Sequence, residues 1–578
     1  MDSRNNIFGS SNQRREIQRR TWTLMIIFML LFCFLVWKII NYMYFKAEPL
    51  KAMFNAQYTI DEKYGLQYNL LDRNNVPLLD YVVNYYAVID PLDYIRFNEY
   101  TSKYDMQALI FTLRNFNNNY DLEKIRGNGN GEKVRYKIDE TTFDKLKDIK
   151  EVKGFYTYTA NEVIVDRNKS YKIENLLIET KYNKLRLDPI SQKKVIDPLS
   201  KNPIYDLVSK SADTLEMQIY NKTKDNEFTK IRFNKGVNGE IAEGKIIKPQ
   251  NNVNVRLTLD KEIQDKVEEI LHKEEYKKYN QIGVVLMESS TGKIRAMIQK
   301  DDNAYNANLG MATTGGTYPG SIFKSIVEEA GLDMDLIQKN EIYTIIPGLF
   351  PEDSHEYNNK NKFTVGEAFR DSSNNIFAQL GWKVGFQNMH DYAKNQGMLG
   401  KVLNLEQEQR GKFEVDISSP KEDISQAAIG QKIRITPLQA ISIPNTIINN
   451  GIYIQPSIID AYVNDDNKVL ERITSKTYQT LKKETAEIVK LDMINVVNNG
   501  TGKEAIVKNM DIGGKTGTST YIEDRIKYYD GWFVGFFNLR GKNYSMTVLV
   551  NNIDIKESGG NTAAPIFKEV VNAIKDIN

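Results

Sequence analysis

The feature that most constrains this chain is an uncharged apolar run from Trp22 to Trp37. A bilayer core about 30 Å thick takes roughly 20 apolar residues of helix, since backbone polar groups in lipid must be satisfied within the segment. Residues 39–44 extend the run past a single Lys38, whose long side chain can reach the headgroups. The sequence therefore predicts a transmembrane helix over residues 21–45.

Five arginines precede this segment: Arg4, Arg14, Arg15, Arg19 and Arg20. Positive charge next to a membrane segment stays on the cytoplasmic side. The sequence therefore predicts a single-pass protein of the cell membrane, with a cytoplasmic tail over residues 1–20 and the remainder outside. A cleaved signal peptide is the competing interpretation. The run is long for such a segment and no small-x-small cleavage site follows it closely, which favours an uncleaved anchor.

Composition excludes several classes of function. The net charge of +2 gives no electrostatic footprint of a nucleic-acid-binding protein. The single cysteine, Cys33, lies in the apolar run and excludes an internal disulfide framework. The three histidines, His272, His355 and His390, are scattered, so we expect no metal site and no cofactor. A length of 578 residues predicts two or three globular units.

Residues 46–252 are polar and give mixed signals. Residues 70–79 predict a strand, a polar turn and a second strand, and residues 143–149 predict a short helix. Asn117–Asn119 and Gly127–Gly131 are typical of loops. Because no catalytic or phosphate-binding pattern stands out, we interpret this region as a spacer or interaction module.

The periodicity sharpens over residues 253–578. Alternating apolar residues at 253–259 predict a strand, and Asp260 is a good N-cap for the amphipathic helix that follows. A hairpin is predicted next, and after about 200 largely helical residues come three strands and a helix. These elements are Ile282–Met287, Lys293–Gln299, Ile512–Ser519, Gly531–Phe537, Tyr544–Val550 and a helix from Pro565. This order predicts an α+β fold, an antiparallel sheet flanked by helices.

Within the helical stretch, a turn at Pro319 leads into a predicted helix from Ser321 to Ala330, ended by Gly331. Ser321 and Lys324 then share one helix face, an arrangement that can serve as nucleophile and base if the lysine loses its proton. The lysine would need a pKa far below its reference value of about 10.4. The same spacing recurs at Ser191–Lys194, Ser290–Lys293 and Ser418–Lys421, so this pair alone is weak.

Two further motifs follow in order, Ser372-x-Asn374 and Lys515-Thr516-Gly517-Thr518. Separately they have structural explanations, a helix cap and an edge strand of good strand formers. Together with Ser321-x-x-Lys324 they resemble the motif set of the serine penicillin-recognising enzymes. Gly500-Thr-Gly502 and Gly531-Trp532 add to the match. With the anchor included, the chain resembles a class B penicillin-binding protein, a monofunctional peptidoglycan D,D-transpeptidase.

This resemblance implies a domain organisation. Residues 46–252 would form an elongated, mixed pedestal or dimerisation-like domain. Residues 253–578 would form a β-lactamase/transpeptidase-like domain with a five-stranded antiparallel sheet. The pedestal departs from the family pattern at Leu66-Gln-Tyr-Asn69, where Arg-Gly is usual, and at Asn75, where Gly is usual.

The resemblance also implies residue roles. Ser321 would attack the penultimate D-Ala carbonyl of a stem peptide, with Lys324 as general base. Ser372 would relay a proton to the leaving amine, Asn374 would bond the substrate amide, and Lys515 would help to keep Lys324 neutral. The residues implied for substrate binding are Thr516, Gly517 and Thr518. The backbone N–H groups of Ser321 and Thr518 would form the oxyanion hole.

The implied partners are peptidoglycan stem peptides, β-lactams and the membrane. No glycosyltransferase signature is present, so a separate glycosyltransferase and other division or elongation proteins are implied as well. Two alternatives stay open, a membrane-anchored β-lactam sensor or β-lactamase, and a non-catalytic cell-wall scaffold. Against a β-lactamase, no Glu-x-x-Leu-Asn element lies between Asn374 and Lys515.

Overall fold

A computed structural model describes residues 7–44, 59–65, 67–99, 101, 103–116, 132–163, 171–189, 191–236, 239–351, 360–523 and 525–577. The chain is α+β, as predicted. The predicted loops Asn117–Asn119 and Gly127–Gly131 lie outside the described residues.

The strands are β1 (Thr59–Lys63), β2 (Leu70–Leu71), β3 (Tyr81–Ile89), β4 (Val134–Ile138), β5 (Phe155–Val163), β6 (Lys181–Leu185), β7 (Tyr205–Ser209), β8 (Lys230–Asn234), β9 (Lys245–Ile247), β10 (Asn254–Leu257), β11 (Gln281–Glu288), β12 (Lys293–Gln299), β13 (Ile342–Thr344), β14 (Lys362–Thr364), β15 (Lys412–Phe413), β16 (Ile433–Arg434), β17 (Ile452–Ile454), β18 (Ile459–Val463), β19 (Val469–Arg472), β20 (Thr477–Gln479), β21 (Ile512–Glu523), β22 (Ile526–Leu539) and β23 (Lys542–Asn551).

The α-helices are α1 (Ile7–Tyr44), α2 (Pro91–Phe97), α3 (Lys103–Phe116), α4 (Glu140–Leu146), α5 (Ile173–Ile178), α6 (Leu215–Thr223), α7 (Lys261–Leu271), α8 (Lys324–Asp333), α9 (Val365–Arg370), α10 (Asn374–Val384), α11 (Phe386–Asn395), α12 (Lys421–Ala428), α13 (Pro437–Ala440), α14 (Ser442–Ile448), α15 (Lys483–Asn499) and α16 (Ala563–Lys575). Short 3₁₀ turns lie at Glu274–Tyr276, Ala307–Leu309, Gly320–Phe323 and Lys503–Ala505.

The predicted apolar helix is present as α1. Its segment Arg15–Met43 spans 29 residues and is long and apolar enough to cross a membrane. Large apolar side chains such as Phe28 and Phe32 are exposed along it, as suits a surface that contacts lipid.

The chain divides into two compact units that are interleaved along the sequence. The first comprises Met1–Gly65, Val82–Glu162 and Phe228–Lys248. In it, one three-stranded sheet has the order β1-β8-β9 and another the order β4-β3-β5. The second comprises Leu66–Tyr81, Val163–Glu227 and Pro249–Asn578. It therefore includes two stretches that lie before residue 253, and the boundary predicted at 252/253 stays a prediction.

The second unit is built on a five-stranded antiparallel sheet with the order β12-β11-β23-β22-β21. The prediction of two strands, a helical insertion and three strands is confirmed. β11 is buried along its whole length because helices cover both faces of the sheet. Alternate residues of β22 supply the two cores, Trp532 and Val534 on one face and Phe533 and Phe537 on the other.

Helix α8 runs beyond the stop predicted at Gly331. A Cβ at that position would lie 2.5 Å from Cδ1 of Ile337, so the glycine allows close packing within the last turn of the helix. The prediction that Gly331 ends the helix is therefore wrong. Ahead of the sheet, Asp260 caps α7 as predicted, accepting a hydrogen bond from the backbone N–H of Ile263.

Candidate active site

Ser321 lies on the 3₁₀ turn Gly320–Phe323, which runs directly into α8. Gly320 has a φ of 55°, and a Cβ there would lie 2.4 Å from the carbonyl oxygen of Thr518. The indole Nε1 of Trp532 donates to the carbonyl of Tyr318 at 3.0 Å and fixes the chain just before the turn. The glycine and the tryptophan together hold the Ser321 turn against strand β21.

Lys324 is buried behind this turn and joins the first motif to the second. Its Nζ donates to the Ser372 carbonyl at 2.6 Å, to Asn374 Oδ1 at 2.7 Å and to Ser372 Oγ at 3.3 Å. The amine also lies 5.6 Å from the centre of the Phe377 ring. These partners fix both the amine and the loop that carries Ser372.

Ser372 adopts a left-handed backbone conformation with a φ of 60°, which is uncommon for a residue with a side chain. The next residue, Ser373, caps α10 by accepting from the backbone N–H of Ile376 at 3.3 Å. The predicted helix cap is therefore Ser373, and Ser372 is turned toward the lysines. Backbone strain of this kind gathers at functional sites.

Lys515 approaches the same hydroxyl from β21. Its Nζ donates to Ser372 Oγ at 3.0 Å and to the Thr516 carbonyl at 3.2 Å, and its side chain is buried. Burial, together with the charge of Lys324, holds the pKa of Lys515 well below its usual range. Two buried amines around one hydroxyl repel each other when both are protonated. The pair therefore favours the loss of one proton, which a lysine base requires.

The remaining residues of the third motif lie on β21, beside Ser321. Thr516 Oγ1 lies 2.6 Å from Thr501 Oγ1, and Thr518 Oγ1 accepts from the backbone N–H of Gly559 at 3.2 Å. At Gly517 a Cβ would lie 2.5 Å from the Pro319 carbonyl oxygen. Only glycine allows the strand to pass this close to the nucleophile turn.

These residues surround a cavity of about 260 Å³. The predicted site residues that line it are Ser321, Ser372, Asn374, Thr516, Gly517 and Thr518. Lys324 and Lys515 lie behind its wall. The structure thus brings all eight residues of the three motifs together.

Sequence reasoning missed several other lining residues: Asp371, Gln431, Ser558 and Gly560. Gln431 follows Gly430, where a Cβ would lie 2.1 Å from the Gly320 carbonyl oxygen. The Ala-Ala-Ile-Gly-Gln run over residues 427–431 was therefore a usable signal. No local pattern marks the loop over residues 558–560.

Replacing Gly517 with alanine is expected to slow β-lactam acylation of Ser321 about 100-fold. The new Cβ must displace the Pro319 carbonyl, and a shift of about 1 Å at a reacting centre typically costs that much. The measurement is the acylation rate with a fluorescent penicillin. Gly400→Ala is the matched control, because the nearest atom to a Cβ there is 3.9 Å away. Equal rates for both variants would contradict the close approach.

Two buried carboxyls, Glu328 and Glu329, lie on α8 one turn beyond Lys324. Burial raises the pKa of Glu329 to about 8, although Gln396 donates to its carboxyl group. Burial and the nearby Asp492 also raise the pKa of Glu328 well above its usual value. Both groups are therefore favoured in their neutral forms within the folded chain.

Glu329→Gln is expected to flatten the dependence of stability on pH. In the wild type the folded state binds the Glu329 proton up to about pH 8, whereas the unfolded chain releases it near pH 4.5. This contribution to stability is complete below pH 4.5 and is lost as the pH rises toward 8. The difference in Tm, variant minus wild type, should therefore grow between pH 5 and pH 8. Glu484→Gln, at an exposed position on α15, is the control and should show no such trend. If the curves of Tm against pH ran parallel for Glu329→Gln and the wild type, the raised pKa of Glu329 would be refuted.

A helix-covered antiparallel sheet with a serine, two buried lysines and a second serine at its edge strand defines the penicillin-recognising class of fold. The chain belongs to the family described as the penicillin binding protein transpeptidase domain, which matches residues 282–572. The predicted resemblance to class B penicillin-binding proteins is confirmed.

Among similar proteins, stage V sporulation protein D of Bacillus subtilis is 27% identical over 350 residues, covering 56% of this chain and 53% of that protein. Penicillin-binding protein PbpB of Mycolicibacterium smegmatis is 24% identical over 379 residues, covering 59% and 58%. The chain thus spans about half the length of the curated relatives it matches.

Solved structures share the fold over a larger part of the chain. A peptidoglycan synthetase from Bifidobacterium adolescentis has a TM-score of 0.57 at 17% identity, covering 89% of this chain and 95% of that one. Penicillin binding protein 3 from Mycobacterium tuberculosis, complexed with aztreonam, has a TM-score of 0.56 at 16% identity, covering 89% and 96%.

Proposed function

We propose that this chain is a peptidoglycan D,D-transpeptidase that cross-links stem peptides through an acyl-enzyme on Ser321. The observation that carries the proposal is the convergence of Lys324 and Lys515 on Ser372 Oγ, behind the cavity that Ser321 lines. The family match supports an acyl-transfer role for this domain.

In the acylation step, neutral Lys324 takes the proton of Ser321 Oγ as the oxygen attacks the penultimate D-Ala carbonyl carbon. The backbone N–H groups of Ser321 and Thr518 stabilise the oxyanion. The C–N bond then breaks, and Ser372, held by both lysines, gives its proton to the departing amine of the terminal D-Ala and takes in return the proton that Lys324 had accepted. The products are an ester on Ser321 and free D-Ala.

The amine of a neighbouring stem peptide then attacks the ester, forms the cross-linking amide and returns the proton to Ser321. A β-lactam acylates Ser321 by the same attack, but its ring-opened ester is released slowly. The Thr516 and Thr518 hydroxyls suit the terminal carboxylate of the substrate. The Oδ1 of Asn374 accepts from Lys324, so its Nδ2 is the group that can donate to a substrate carbonyl.

We assign helix α1 as an uncleaved anchor with the arginine-rich tail in the cytoplasm, which places Ser321 outside the membrane. No ATP is present there, so the D-Ala–D-Ala bond that is broken must supply the energy for the new cross-link. A separate glycosyltransferase and other division or elongation proteins are the partners that this location implies. We assign the pedestal as the surface that binds these partner proteins.

The test uses the full chain in detergent. Mass spectrometry after penicillin labelling should find one adduct on Ser321, and incubation with glycan strands made by a separate glycosyltransferase should yield cross-linked muropeptides. An adduct at another residue would overturn the site assignment. Rapid turnover of a chromogenic cephalosporin would establish the β-lactamase alternative instead.

A further inference from the structure

A second cavity, of about 670 Å³, lies at one end of the five-stranded sheet. Gln281 at the start of β11, Asn551 at the end of β23 and Tyr528 near the start of β22 line it. No residue in the described part of the chain lines both this cavity and the 260 Å³ cavity. Tyr318 connects the two, because it lines the larger cavity and precedes Ser321 by three residues.

Tyrosine rings form much of the wall. Tyr171 and Tyr305 are 4.9 Å apart between ring centres, and Tyr521 and Tyr528 are stacked at 5.3 Å. Tyr171 and Tyr305 also line an adjoining cavity of about 300 Å³. These two rings thus lie at the boundary between the two cavities, and we call the 670 Å³ cavity the tyrosine cleft.

The side chains that line the 670 Å³ cavity carry almost no charge. Among the described residues that line it, Arg434 alone is charged. Its side chain is already engaged, since Nε donates to Glu414 at 2.7 Å and Nη2 to the Tyr318 hydroxyl at 3.0 Å. The other polar lining groups are amides and hydroxyls of Asn, Gln, Thr and Tyr. Such a wall suits a neutral ligand with flat apolar faces and polar edges.

An N-acetylated hexosamine has these properties: its ring presents C–H faces, and its hydroxyl and acetamido groups bond to amides. A peptide fits less well. Its charged ends would lack partners, and it has no strand to extend where Gln281 and Asn551 are already paired in the sheet.

We propose that the tyrosine cleft binds the glycan strand of peptidoglycan and so presents the attached stem peptide to Ser321. This inference rests on the proposed function. An extended peptide covers about 3.5 Å per residue, so a stem of a few residues can run from a sugar beside Tyr318 to the nucleophile. The cleft then selects glycan-linked stems over free ones.

The test is a calorimetric titration in which a tetramer of N-acetylglucosamine is added to the full chain in detergent. The wild type should bind saturably, and Tyr305→Ala and Tyr528→Ala should each weaken binding at least tenfold. Tyr104→Ala, at an exposed tyrosine on α3, is the matched control and should bind like the wild type. All three variants should be acylated by penicillin at the wild-type rate, which shows that they are folded.

Three results would overturn the inference. The first is no saturable binding of the tetramer by the wild type, and the second is binding of the tetramer by both cleft variants as tight as that of the wild type. The third is a loss of affinity for a free stem peptide in the cleft variants while their affinity for the tetramer is kept. D-Ala release from a free stem peptide separates this inference from the proposed function. If the wild type releases D-Ala but binds no tetramer, only the cleft assignment fails. If it is neither acylated nor releases D-Ala, the proposed function fails.

Discussion

Replacing Ser321 with alanine is expected to abolish penicillin labelling and peptide cross-linking while leaving the fold intact. The hydroxyl is the atom that forms the ester, and in serine acyl-transfer enzymes loss of the nucleophile lowers kcat on the order of a million-fold. Ser321 is only partly buried and lines the open cavity, so removing its oxygen creates no sealed void. The measurements are adduct formation by mass spectrometry and the Tm.

Ser325→Ala is the matched control, four residues further along. Its side chain is buried on α8, and within the described part of the chain its Oγ has no hydrogen-bond partner. It should keep the wild-type rate of labelling. If Ser321→Ala also restored growth and cross-linking in a depleted strain, the scaffold alternative would replace the catalytic one.

Local sequence signals predicted the sheet because its strands are long, apolar and separated by clear turns. β22 and β23 pair through the Asn538–Asn543 link, as the turn residues there indicate. The Ser321–Lys324 pair could be distinguished from the three other Ser-x-x-Lys pairs of the chain only through the two downstream motifs. In the rival Ser290–Lys293, the lysine opens β12 and its Nζ bonds to Asp460 at 2.6 Å, so it serves the fold.

Other parts of the site depend on contacts between distant segments, which no local pattern records. The left-handed Ser372 is held by lysines that lie 48 and 143 positions away in the sequence. The glycines at 320, 430 and 517 are required by close approaches that exist only once the turn, the loop and β21 have packed together. The buried acids of α8 likewise look like surface charges in the sequence.

Lys324→Met is expected to slow acylation of Ser321 by about 100- to 10,000-fold, the usual contribution of a general base. Methionine is flexible and apolar, so it can fill the space of the buried lysine stem beside Phe377. It removes the lysine donor from the Ser372 carbonyl and from Asn374 Oδ1, and because both acceptors are only partly buried, the cost is at most roughly 1–3 kcal/mol for each. Acylation rate and Tm must therefore be measured together.

Lys324→Arg separates a base from a mere positive charge. Arginine stays protonated at any accessible pH, so it preserves the charge but cannot accept the Ser321 proton. Lys324→Arg should therefore slow acylation of Ser321 as much as Lys324→Met does. Lys293→Met is the matched control, because Asp460 keeps a second partner in Arg256 at 2.9 Å and the active site is untouched. Near-wild-type acylation by Lys324→Arg would show that the charge of Lys324 suffices, and the role of general base would then pass to another group.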